Sequence, residues 1–73
     1  MALLSMGESR WRMLRRGLKK KKFRYEDARN MSRNDQVHFD WLVSAGFIKE
    51  VGEGYYTVTE QGREAADLGF YEV

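Results

Sequence analysis

The sequence has no cysteine, no proline, a single histidine, and no run approaching the ~20 apolar residues that a membrane-spanning helix needs. Each absence removes a class of function. Without cysteine there are no disulfides and no thiolate metal sites, and a reducing compartment suits the chain. One His and scattered carboxylates supply no recognisable catalytic triad or zinc site, so no enzyme activity and no catalytic or metal residue is expected. Gly52 and Gly54 lack the strand-to-helix context of a phosphate loop, and nothing else suggests a cofactor or a small-molecule ligand. The opening Met1-Ala2-Leu3-Leu4-Ser5-Met6 is too short for a signal peptide and lacks its basic start. A cytoplasmic protein without membrane association is the expectation.

What remains is enough for one small packed domain. At 73 residues, with 42% hydrophobic and 14% aromatic residues, the chain is too apolar to be read as disordered. Its core is nevertheless small. The net charge of +2 conceals an asymmetry. Residues 1–33 carry eleven Lys/Arg against three Asp/Glu, whereas residues 34–73 carry two against eight. Such a split offers either a basic face for a polyanion or two halves that neutralise each other on folding.

Residues 1–8 read as a flexible amino-terminal arm and 9–73 as the folded domain, with Ser9 as cap of a first helix over 9–21. Trp11, Leu14 and Leu18 share one face of that helix at i, i+3 and i+7. Gly17 weakens it by about 1 kcal/mol relative to Ala. The run Lys19-Lys20-Lys21-Lys22 suits the negative end of the helix dipole, and equally suits phosphate. Phe23-Arg24 is a short edge strand. A brief helix over 25–31 follows, with Glu26 and Asp27 in its first turn and Ala28 and Met31 facing inward.

A third helix spans 34–45, with Ser32 or Asn34 as its cap. No Pro or Gly interrupts it before Gly46, which is placed to end it in a left-handed conformation. Phe47-Ile48 opens a hairpin over 47–58 that turns at Gly52-Glu53-Gly54. Thr59 caps a last helix over 60–68, in which Ala65, Ala66 and Leu68 are docking positions. An aromatic tail of Phe70, Tyr71 and Val73 follows.

Two segments carry a family resemblance. Leu42-Val43-Ser44-Ala45-Gly46-Phe47-Ile48 resembles the end of the recognition helix in MarR- and PadR-type regulators. Tyr56-Thr57-Val58-Thr59-Glu60-Gln61-Gly62 resembles the strand leaving the wing and the start of the helix after it. The resemblance implies an α+β, mainly α fold: a winged helix-turn-helix with three helices, a short hairpin wing and a C-terminal helix. It implies a small DNA-binding protein, a transcriptional regulator, with the third helix in the major groove of double-stranded DNA. In that register Phe39, Leu42 and Ala45 face the core with His38 at the edge.

The implied base contacts are Arg33, Asn34 and Gln36, whose side chains match guanine and adenine edges. The implied phosphate contacts are Lys19, Lys20, Lys22, Arg24, Arg29 and Ser32. Asp35, Asp40 and the acidic Gly52-Glu53-Gly54 turn depart from that pattern. In many such regulators the helix after the wing helps dimerise, so a homodimer is a further expectation. A helical wheel also buries Val37 and Trp41. If the domain cannot accommodate both strips, Val37 and Trp41 become a partner contact, and the alternative function is a winged-helix protein-interaction module that does not bind DNA.

Overall fold

The computed structural model describes residues 3–72. They form nine elements: β1 (Leu3–Ser5), α1 (Glu8–Gly17), β2 (Phe23–Arg24), α2 (Tyr25–Ala28), α3 (Asp35–Ser44), β3 (Ile48–Gly52), β4 (Tyr55–Val58), α4 (Glu60–Leu68) and β5 (Phe70–Glu72). The result is a small α+β domain of four helices and a three-stranded antiparallel sheet in the order β2-β4-β3. A second ribbon pairs β1 with β5. No described helix is long and apolar enough to cross a membrane.

α1 buries Met13, Leu14 and Gly17, a face displaced from the Trp11-Leu14-Leu18 stripe expected. Trp11 instead lies at the margin, where its indole Nε1 donates to the Ala66 carbonyl across 2.9 Å. Gly17 does more than weaken the helix: a Cβ there would stand 2.8 Å from the Phe23 ring, so the glycine admits Phe23 to the core. The helix starts after Gly7, not Ser9, and ends at Gly17 rather than at residue 21. Four adjacent ammonium groups repel one another, and the chain must turn to bring Phe23 opposite Tyr56 in the sheet. The lysine run is therefore loop, not helix.

α2 is a single turn, because Arg29 is extended with ψ 150°. Met31, expected to face inward, takes a left-handed φ of 63° and is 79% exposed. α3 buries Phe39 and Leu42, but Ala45, also expected inside, is its exposed C-cap. Gly46 ends the helix at φ 83°, after which the Phe47 amide donates to the Leu42 carbonyl at 3.0 Å. In the hairpin the two turn residues Glu53 and Gly54 both have positive φ, the twist that suits a two-residue loop. Val51 is the extra residue of a bulge between Glu50 and Gly52.

The core centres on Phe39. Its ring meets Tyr56 at 4.8 Å, Tyr25 at 5.0 Å and Phe23 at 6.4 Å, each edge to face. Leu42, Ile48, Met13 and Leu14 complete it, and Ala65 and Ala66 press α4 against the other side. Leu68, expected to dock, is 66% exposed. The amino-terminal segment also differs from expectation. Leu3–Ser5 pairs with Phe70–Glu72, which satisfies backbone groups that an open strand edge leaves free, and Met6 is buried in the core. Residues 1, 2 and 73, part of the expected arm and tail, lie outside the described residues.

Candidate functional site

Two places on the surface gather the residues singled out above. The first is the approach to α3. Asp35, the first residue of that helix, is 1% exposed, and its carboxylate accepts from the Ser32 amide at 2.8 Å and the Ser32 hydroxyl at 2.7 Å. Arg29 Nε lies 3.7 Å away, near enough to pair in charge though not to hydrogen-bond. Burial pushes the Asp35 carboxyl upward, but the Ser32 bonds and the Arg29 charge outweigh it and hold the group below the ordinary carboxylate value. Arg29 also rests against the Tyr25 ring at 5.7 Å, and its carbonyl accepts from Arg16. The carboxylate thus locks the turn between α2 and α3 from within.

That arrangement divides the expected contact residues. Arg29 and Ser32 are both engaged with Asp35, Ser32 while still exposed, whereas the exposed Arg33, Asn34 and Gln36 make no side-chain bond to it. Asn34 is the N-cap of α3 but makes no side-chain cap bond. Neither it nor Ser32 caps the helix; Asp35 reaches back to tie down Ser32, which lies ahead of the helix. Gln36 Nε2 donates to Asp40 one turn on, at 3.0 Å. Beyond Arg33, α3 carries no Lys or Arg.

The apolar strip of α3 is split as well. Val37 is 62% exposed, but Trp41 is half-buried, its ring 5.9 Å from Phe47 and capped by the Arg10 guanidinium at 4.2 Å. Trp41 thus packs under α1. Arg10 Nε also donates to His38 Nδ1 at 3.1 Å, which sets His38 at the edge of the domain as expected.

The second place lies on the outer face of the sheet. Alternation along β4 turns Tyr56 inward and Tyr55 outward, and β2 sets Arg24 opposite Tyr55. Arg24 Nη2 donates to the Tyr55 hydroxyl at 3.3 Å, with its guanidinium 4.8 Å from the ring centre. Lys22 Nζ lies 4.6 Å from the same centre. The Arg24 bond and charge lower the Tyr55 phenol below its ordinary value, and the same bond raises Arg24.

Lys20 is placed differently, 3.6 Å from Asp27. The Asp27 carboxyl is held low chiefly by the Arg24 amide that donates to it at 3.1 Å. Lys19 is exposed. Tyr55 was not among the residues expected from sequence. The signal for it was the Tyr55-Tyr56 pair in a strand: adjacent residues face opposite ways, so one of the two rings had to be outside.

Among the described residues no group of three His, Cys, Asp or Glu side chains could hold a metal ion. A shallow depression of about 270 Å³ beside α1 is lined by Ser5, Gly7, Glu8, Trp11 and Gly69, and its carboxylate, Glu8, is paired with Arg12. Comparison with family models, curated proteins and solved structures returns no match for this chain.

Proposed function

We propose that this chain is a winged helix-turn-helix domain that binds double-stranded DNA through α3 and acts as a small transcriptional regulator. The observation that carries this reading is the exposed edge Arg33-Asn34-Gln36 at the start of the second helix of a helix pair, backed by the buried Asp35 lock. The order helix, strand, helix, helix, hairpin supports it, as does a sheet in which the first short strand joins the far strand of the hairpin. In such a domain the second helix enters the major groove by its first turn. Arg33 offers a two-toothed match to guanine, and Asn34 and Gln36 offer the corresponding match to adenine. Gln36 gives up an exposed intrahelical bond to Asp40 to make its contact, a small loss.

The test is a titration of wild type and Arg33→Ala against selected and random duplexes by fluorescence anisotropy. Arg33→Ala should weaken the selected duplex by ~1–3 kcal/mol more than the random one. Absence of binding by wild type to either duplex at low salt overturns the reading.

One observation favours a second reading. The flank of α3 from Val37 onward presents Val37, Asp40 and Val43 with no cation, and the hairpin turn presents Glu53. That surface suits a protein partner, including a second copy of the chain, better than it suits phosphate. In the absence of duplex binding, a winged-helix interaction module becomes the reading to pursue, beginning with the mass in solution by light scattering.

A further inference from the structure

The cluster on the outer face of the sheet has a chemistry that base reading by α3 does not use. Lys22 and Arg24 are held against one ring, and among the described residues no carboxylate forms an ion pair with either. Of the acids in the adjoining turn, Glu26 lends its charge to Arg24 without pairing to it, and Asp27 is engaged by the Arg24 amide and by Lys20. The Tyr55 oxygen accepts from Arg24, which leaves its own O–H to donate. Lys22, the rest of the Arg24 guanidinium and the Tyr55 hydroxyl therefore present donors and no free acceptor. A group with several acceptor oxygens and negative charge fits that set; a base edge, which mixes donors and acceptors, does not.

The cluster is also built in place. The β2–β4 pairing fixes Arg24 opposite Tyr55. Thr57 Oγ1 donates to the Lys21 carbonyl at 2.8 Å and pins the lysine loop beside β4. With two cations at the Tyr55 ring, the ring orients charge and is not a free platform for stacking a base.

We propose that Lys22, Arg24 and the Tyr55 hydroxyl form a phosphate clamp that grips one phosphodiester backbone of the DNA whose bases face α3. The clamp rests on the DNA reading given above. It does the anchoring that the hairpin turn is ill suited to do, since Glu53 there would repel phosphate. Arg24 directly precedes α2, and the next residue, Tyr25, packs against Phe39 of α3 at 5.0 Å, so the clamp is one residue removed from a core contact with the reading helix.

The experiment compares wild type, the double variant Lys22→Gln/Arg24→Gln, Tyr55→Phe, and Arg63→Gln on α4 as a distant control. Each is titrated with a selected and a random 20-base-pair duplex at salt between roughly 50 and 200 mM, the range over which phosphate contacts are resolved. Folding is checked by circular dichroism. The double variant should lower the slope of log affinity against log salt by about 1.8, or ~0.9 for each lost contact. It should weaken both duplexes alike. Tyr55→Phe should cost about two- to tenfold, the range of one net hydrogen bond, with little change of slope. An unchanged slope in a folded double variant, or one no flatter than that of Arg63→Gln, overturns the clamp and leaves the α3 reading standing. A loss confined to the selected duplex also overturns it, because the cations would then be reading bases. Failure of wild type to bind either duplex at the lowest salt overturns the DNA reading and the clamp together.

Discussion

The starts of α3 and α4 are built in two ways. Every helix begins with backbone amides that lack intrahelical partners. At α4, Thr59 accepts from the Gly62 amide at 3.1 Å and donates its hydroxyl to the Gly46 carbonyl at 2.6 Å, so the capping side chain is wholly committed. At α3, the N-cap Asn34 makes no such bond, and Asp35 reaches back to Ser32 from inside the helix. One start is closed by its own cap against the core. The other has no side-chain cap; Asp35 ties down the chain ahead of it from beneath, and the outward Arg33 and Asn34 make no side-chain bond to any described residue. A helix end meant only for packing needs the first arrangement; one meant to present polar side chains to a ligand gains from the second.

The largest effect should come from Gly62→Ala. A Cβ at this position would lie 2.2 Å from the Phe47 carbonyl oxygen and 3.0 Å from its carbon, both backbone atoms that cannot swing aside. That carbonyl also accepts from the Thr59 amide at 2.9 Å, so the α4 start, the cap and the strand junction would have to part together. We expect a loss of about 3 kcal/mol, the upper part of the usual range for overpacking, read as a lowered denaturant midpoint. An unaltered midpoint would mean that α4 does not dock as closely as its neighbours require.

Asp35→Asn should come next and is specific to the other helix start. An amide in place of the carboxylate loses the charge facing Arg29 and disturbs the two bonds from Ser32, for a cost of ~1–3 kcal/mol. The substitution should also change the response to acid. The folded carboxyl lies below its ordinary value of about 3.9, so its stabilisation is complete above that value and is lost as pH falls through the lower folded one. Wild type should therefore lose stability below about pH 4 more steeply than Asp35→Asn. Parallel acid limbs for the two proteins would show that the carboxylate gains nothing from its setting.

The two helix starts also differ in how far they were legible. Thr59, Gly46 and the turn at Glu53-Gly54 act locally, through neighbouring residues, and their roles followed from residue type and spacing. The Asp35 lock was not legible. It needs an Arg six residues earlier, brought round by a left-handed Met31, and helical periodicity carries no information on such a turn. By residue type alone Asp35 is an acid at odds with phosphate, whereas it is buried and paired. The same limit applied to α1: of Trp11-Leu14-Leu18, Leu14 is buried and Leu18 packs partly against the core, but spacing carries no sign of Met13 inside or of Phe23 against Gly17. Tyr55 lay half within reach, since alternation requires an outward ring but only the β2–β4 register shows which cations meet it.

The smallest change in stability should give the sharpest comparison. Thr59→Ala removes both an accepted and a donated bond, and should cost about 1 kcal/mol, as loss of a side-chain cap does. Asn34→Ala occupies the corresponding position on α3 yet removes no cap bond, so its midpoint should stay within about 0.5 kcal/mol of wild type. DNA binding should rank the two in the opposite order. Thr59 bonds to Gly46, just past the C-terminal end of α3 and not at its start, and should leave affinity untouched at temperatures where the variant is folded. Asn34→Ala should lose ~1–3 kcal/mol on a selected duplex, if its amide meets an adenine edge. Both quantities can be measured on the same two variants, by urea unfolding and by anisotropy. A stability loss in Asn34→Ala as large as that in Thr59→Ala would show that Asn34 caps after all, and the distinction between a packing start and a presenting start would fall.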